Sequence, residues 1–228
     1  MVRDLPELRD RAPVFKNRTE AGRALVQLLE GFRASTAVVL AIPAGGVPVG
    51  AEIASQLGLS LDVAPVSKML LPWTTESGFG AVAFDGSIWV NWDDVRRYGL
   101  SEADVERAAA DARAKVERRL AKLRGGRTTF ALKGRTVIVV DDGIAGGSTM
   151  RAAVAALRRL DTGRIVIAVP TGSARSLEHV AAIADEVCCT NLRRGPKLPR
   201  AQATTISSLA TSAPILSTSI GVCMMYLP

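Results

Sequence analysis

The run Val137-Ile138-Val139-Val140-Asp141-Asp142-Gly143-Ile144-Ala145-Gly146-Gly147-Ser148-Thr149-Met150 constrains this chain more than any other stretch. Four β-branched residues suit a buried parallel strand, and they run into two adjacent carboxylates, a small-residue loop and a predicted helix from Arg151 to Leu160. A loop of Ala, Gly, Gly, Ser and Thr lets backbone approach a ligand closely. The helix start behind it offers unpaired N–H groups and a positive dipole end to an anion. The two carboxylates repel a phosphate, so they suit hydroxyls or a hydrated cation beside it. A sugar phosphate satisfies both halves. An ordinary tight βα turn with a Ser or Thr cap is the bland alternative, and an Asp-Asp pair ahead of it makes that turn costly unless something binds. The spacing is neither G-x-x-x-x-G-K-[ST], because no Lys precedes Ser148, nor the dinucleotide G-x-G-x-x-G.

A second unit of the same kind lies upstream. Ala37 to Ile42 is an apolar strand ending in Pro43-Ala44-Gly45-Gly46, before a helix predicted over Val47 to Leu57. Two such units in one parallel sheet place both loops at the carboxyl edge, where open α/β sheets bind ligands. Leu61 to Val66, Arg164 to Val169 and Glu186 to Thr190 supply further strands, with a helix over Ala174 to Ala184. The alternation predicts an α/β fold: a Rossmann-like parallel sheet of about five strands flanked by helices, with a small hood or hairpin region. Asp85-Gly86 between two apolar runs predicts that hairpin, and Trp89 and Trp92 at its end are expected to pack on a long helix. That helix starts at Ser101 and ends at Gly125-Gly126, with a narrow stripe of Val105, Ala109, Ala112, Val116, Leu120 and Leu123. The stripe suits either a sheet or a second copy of the chain. Near the N-terminus, Thr19 is expected to cap an amphipathic helix carrying Ala21, Leu25, Leu28, Leu29 and Phe32 on one face, and Arg18 to make a surface or structural pair.

Composition narrows the partners. The net charge of +7 attracts polyanions, but aromatic residues are only 4% and no basic run interleaves with them, which disfavours nucleic acid against a phosphorylated small molecule. Three cysteines in neither a disulfide nor a metal-binding pattern, and an N-terminus carrying Asp4, Glu7, Arg9 and Asp10, predict a reduced, cytoplasmic protein with no membrane contact. His179, the only histidine, lies on a late helix away from both loops, where catalysis is not expected of it.

The strand, Asp141-Asp142, and Ala145-Gly146-Gly147-Ser148-Thr149 together resemble the phosphoribosyl pyrophosphate motif of the type I phosphoribosyltransferases. Phe15-x-x-Arg18-x-x-Ala21-Gly22-x-x-Leu25 resembles the opening helix of a prokaryotic branch of that family, and the likeness covers roughly residues 13 to 197. The resemblance implies a Mg²⁺-dependent transfer of phosphoribosyl to a nitrogenous base with release of pyrophosphate. It implies that Asp141 and Asp142 hold the ribose hydroxyls and, through ribose or water, the metal, while Ala145 to Thr149 bind the 5'-phosphate. Ala44, Gly45 and Gly46 would form the pyrophosphate loop, Lys68 would assist catalysis, and Leu70 to Gly78 would be a lid carrying Trp73, Thr75 and Glu76. A homodimer is also implied. Relatives of this branch usually carry Arg in place of Ala44, which keeps open a non-catalytic regulatory protein binding the same ligand. A sugar-phosphate hydrolase is a weaker alternative. Residues 1–197 are therefore expected to form the phosphoribosyltransferase domain including its hood, and 198–228 a separate tail, uncharged from Ala201 onward.

Overall fold

The computed structural model describes residues 1–75, 77–125 and 131–195. The expected roles of Glu76, Gly126 and the 198–228 tail lie outside the described residues. In chain order the elements are β1 (Val2–Asp4), α1 (Arg18–Leu29), β2 (Val38–Ala41), α2 (Gly46–Leu57), β3 (Ser60–Val63), β4 (Ser67–Leu70), β5 (Gly78–Val82) and β6 (Ile88–Val90). There follow α3 (Trp92–Arg97), α4 (Glu102–Arg124), β7 (Val137–Val140), α5 (Ser148–Arg159), β8 (Ile165–Ser173), α6 (Ala174–Ala181) and β9 (Glu186–Arg193).

Six parallel strands form the main sheet in the order β1-β9-β8-β7-β2-β3, one more than the apolar runs predict. The addition is β1, which pairs with β9 at the sheet's edge. Successive residues of the central strands face opposite cores, as the two-residue period of a strand requires. Val137 and Val139 pack with Leu157 and Met150 of α5 on one face, whereas Ile138 and Val140 pack with Leu25 of α1 and Ile53 of α2 on the other. Cys188 and Cys189 divide between the faces in the same way, and both are free thiols.

The chain leaves β2 toward β3 on one side and resumes at β7 on the other. This reversal is a topological switch point, and it sets the loops that follow β2 and β7 side by side at the carboxyl edge. In-register pairing of Ala41 with Val140 fixes their relative height.

β4, β5 and β6 form a separate antiparallel sheet, with the Asp85-Gly86 turn closed by Gly86 N–H donating to Ala83 at 2.9 Å. α4 begins with the capping box of Ser101 and Asp104. Its stripe residues Ala109, Ala112 and Val116 are buried against Met69, Phe79 and Val82, so the small sheet, not a second copy of the chain, covers that stripe. Trp92 is 57% exposed beside the start of α4, and Trp89 instead lies under the Arg151 guanidinium of α5, 5.5 Å from its ring centre. The predicted packing of both on the long helix is corrected for Trp89. The cap of α1 is Asn17, not Thr19: its side chain accepts from Glu20 N–H at 2.9 Å. Among the described residues, no helix is long and apolar enough to cross a membrane.

Candidate active site at the switch point

The β7 loop begins with the acidic pair. Asp142 N–H donates to Asp141 Oδ1 at 2.8 Å, and Ile144 N–H donates to the Thr171 carbonyl at 2.9 Å, which pins the turn to β8. Ser176 Oγ donates to the Ala145 carbonyl at 2.6 Å and tethers the loop to α6. Gly147 closes the loop with φ +81°, a left-handed conformation that an L side chain resists. Ala145 and Gly146 are exposed, Ser148 and Thr149 half-buried, and neither hydroxyl bonds another described residue.

The β2 loop lies directly against the acidic pair. A Cβ on Gly45 would stand 2.0 Å from Asp142 Oδ2, and one on Gly46 would stand 2.5 Å from the Val140 carbonyl oxygen. At Gly46 fixed backbone leaves room only for glycine, whereas at Gly45 a side chain fits only if the Asp142 carboxylate turns away. Ala44 itself is exposed at the loop's tip, and the Pro43–Ala44 peptide is cis.

Of the six α-helices among the described residues, four have a side chain accepting from the first turn: Asn17, Asn91, Ser101 and Ser173. The two exceptions are α2 and α5, which start at the two glycine loops. At α5 the first N–H groups are left for something else to satisfy, whereas at α2 Gly46 N–H donates to the Ile42 carbonyl at 3.0 Å, Val47 N–H donates to the Ala44 carbonyl at 3.3 Å and Pro48 has none. Among the described residues the free backbone donors on that side are therefore those of Ala44 and Gly45.

The electrostatics of the pair are asymmetric. Burial, then the adjacent Asp142 charge, pushes the Asp141 carboxyl up to about 8, and the Lys68 ammonium opposes that rise. Lys68, exposed on β4, is close enough for its charge to act on Asp141. Asp142 is held by Arg18, whose Nη2 and Nε donate to Oδ2 at 2.7 and 3.1 Å. Arg18 does make the structural pair expected of it, but its partner is a site carboxylate 124 residues away, a contact that no local pattern reports. Among the described residues, no group of three or more His, Cys, Asp or Glu side chains could hold a metal ion.

A family model described as "Phosphoribosyl transferase domain" matches residues 91–195. The crystal structure of TT1426 from Thermus thermophilus is 34% identical, covering 82% of this chain and 89% of that one, with a TM-score of 0.67. Two Mycobacterium tuberculosis proteins, provisionally named phosphoribosyl transferases, are 39% identical over 176 residues. The chain belongs to the phosphoribosyl transferase domain family. It spans 40% of the length of the mycobacterial members. The AQ2163 protein of Aquifex aeolicus, 11% identical with a TM-score of 0.52, shares the fold.

Within this family member, the expected site residues divide into two groups. Asp141, Asp142, Gly45, Gly46 and the loop 145–149 converge at the switch point, within reach of the Lys68 charge. Trp73, 63% exposed, instead meets Tyr98 edge-on, with ring centres 6.1 Å apart, and Thr75 is exposed. No hydrogen bond or ring contact joins Trp73 or Thr75 to the acidic pair among the described residues. Arg193 ends β9 and Arg194 follows it, two strands from β7 on the β1 side. Arg194 N–H donates there to Asp10 Oδ1 at 2.7 Å, away from the hood. His179 is exposed on α6.

Proposed function

We propose that this chain transfers the phosphoribosyl group of phosphoribosyl pyrophosphate to a nitrogenous base, releasing pyrophosphate. One observation carries the reading: two loops with unbonded backbone N–H groups, Ala44 and Gly45 after β2 and the start of α5 after the neighbouring β7, flank a carboxylate pair. A ligand phosphorylated at both ends of a ribose matches that sequence of anion seat, hydroxyl acceptor, anion seat. The amides of 145–149 would take the 5'-phosphate and those of Ala44 and Gly45 the pyrophosphate, with Gly46 keeping the backbone close. Asp141 and Asp142 would accept from the ribose hydroxyls and stabilise positive charge developing at the anomeric carbon.

Mg²⁺ fits this arrangement as a shared ion. Two carboxylates cannot complete an octahedral shell, so ligand oxygens and water would supply most of it, with the Asp pair reached directly or through water. A bound cation would neutralise charge on the departing pyrophosphate. Lys68 would add to that from the hood.

Calorimetry with phosphoribosyl pyrophosphate, with and without Mg²⁺, and pyrophosphate release across a panel of bases test the reading. Mg²⁺-dependent binding is expected, and Asp141→Asn with Asp142→Asn should weaken it about 100-fold, the loss of two charge-assisted acceptors. Binding untouched by that double substitution refutes the assignment. A regulatory reading is favoured by the lack of any cationic side chain in Pro43 to Gly46, and binding with no turnover on any base would support it.

A further inference from the structure

The loop 43–46 would have to seat a ligand's anionic end with backbone alone, because Pro, Ala, Gly and Gly offer no cation. A guanidinium reaches its neighbour Asp142 from a different element. Arg18 opens α1, and its Nε and Nη2 edge grips Asp142 Oδ2, the same oxygen that a Gly45 Cβ would strike. A single carboxylate oxygen therefore separates the guanidinium from the start of α2.

That pairing leaves much of the guanidinium unused. A guanidinium has five N–H donors and binds best when its fork meets two oxygens. Here two nitrogens converge on one oxygen, and Nη1 has no bonded partner among the described residues. The side chain is 36% exposed, so those donors are open to a ligand. Asp142 acts as the bracket that fixes the cation's place.

Resting on the phosphoribosyl pyrophosphate reading above, we propose that Arg18 is the cationic donor to the pyrophosphate end of the ligand. It supplies from α1 what the β2 loop lacks. The donor fork is held by Asp142 and presents its remaining N–H groups beside the loop amides of Ala44 and Gly45, which bond nothing among the described residues. Pyrophosphate binding and ribose binding then share one carboxylate, with the cation on one side and the hydroxyls on the other.

The two halves of the ligand separate this role from simple support of Asp142. Binding of inorganic pyrophosphate and of ribose 5-phosphate, each with Mg²⁺, is measured by calorimetry for the wild type, Arg18→Gln and Arg18→Lys, with melting temperatures recorded for all three. Arg18→Gln should lose roughly ten- to a hundredfold in pyrophosphate affinity, the range of a charge-assisted contact. Its ribose 5-phosphate affinity should stay within about twofold. Arg18→Lys should lose less, because charge survives while the fork does not. Adding Ala44→Arg to Arg18→Gln should restore pyrophosphate binding. Unchanged pyrophosphate binding in Arg18→Gln overturns the inference, and so do equal losses on both ligands, which would make Arg18 only a support for Asp142. A wild type that binds ribose 5-phosphate but not pyrophosphate overturns it while leaving the ribose end intact. A wild type that binds neither overturns the phosphoribosyl reading as well.

Discussion

Replacing Gly46 and Gly45 by alanine, one at a time, should give opposite phenotypes. At Gly46 the new methyl carbon would lie 2.5 Å from the Val140 carbonyl oxygen and 3.0 Å from Asp141 Cα. Neither can yield easily, since that carbonyl accepts from Ile42 N–H at 2.8 Å in the centre of the sheet. Overpacking against fixed backbone costs about 3 kcal/mol, and alanine's better helix propensity returns about 1, leaving about 2 kcal/mol of destabilisation. For a chain of this size the melting temperature should fall by about 4–8 °C. At Gly45 the methyl carbon meets a side chain, Asp142, whose carboxylate can rotate away. Rotation breaks the pair with Arg18, but both partners are about one-third exposed and such pairs contribute about 1 kcal/mol or less. Gly45→Ala should therefore melt within about 4 °C of the wild type yet lose most of its affinity for phosphoribosyl pyrophosphate. Thermal denaturation followed by circular dichroism, with calorimetry on the same samples, reads both effects. If Gly46→Ala melts within about 1 °C of wild type, or Gly45→Ala proves the less stable, the steric reasoning is refuted.

Two further outcomes follow from the β7 loop. Asp141 has a folded pKa raised above its unfolded value, so the ligand-free protein should lose stability as pH rises from about 4 through about 8, and change little from this source above that. Asp141→Asn removes this loss. A tenfold step in proton affinity is worth about 1.4 kcal/mol, so even that much of the displacement should make the variant melt about 3–6 °C above wild type at pH 8. The two should converge near pH 4, whereas Asp4, Asp10 and Asp185, whose pKa values are lowered, act below that window. A difference independent of pH would sink the assignment. Gly147→Ala should cost about 1–2 kcal/mol through backbone conformation alone, because its Cβ would meet nothing closer than 3.6 Å. Gly146→Ala, with open space at that position, serves as the neutral control, and equal melting temperatures for the pair would contradict the account.

The strands nearest the site were legible because burial on both faces demands unbroken apolar runs, as in Val137–Val140 and Val38–Ala41. β1 was not, since three residues of mixed exposure carry no period, and its partner β9 lies some 185 residues on. The glycine loops could be read as close-approach backbone, but what they approach, Asp142 for Gly45 and Val140 for Gly46, is a product of strand order. Arg18 shows the limit most clearly. Its position at the start of an amphipathic helix suggested a structural pair, and nothing within α1 points to a carboxylate after β7. The stripe on α4 was visible in full, but a stripe does not name its partner, and the small sheet took it.

The pairing of Ala41 with Val140 has a consequence for which ligands can fit. Because the two glycine loops spring from neighbouring strands at the same level, their separation is set by the strand spacing of about 4.8 Å, and loop sequence can adjust it little. The sheet thus acts as a gauge of ligand length. Substitutions within either loop can change how tightly an anion is held, but a different distance between two anions would require sliding β2 against β7. Such a slip of β2 by one residue turns Leu40 toward the wrong core. Hydrophobic burial in the centre of the molecule therefore guards a dimension of the site that none of the buried residues touches.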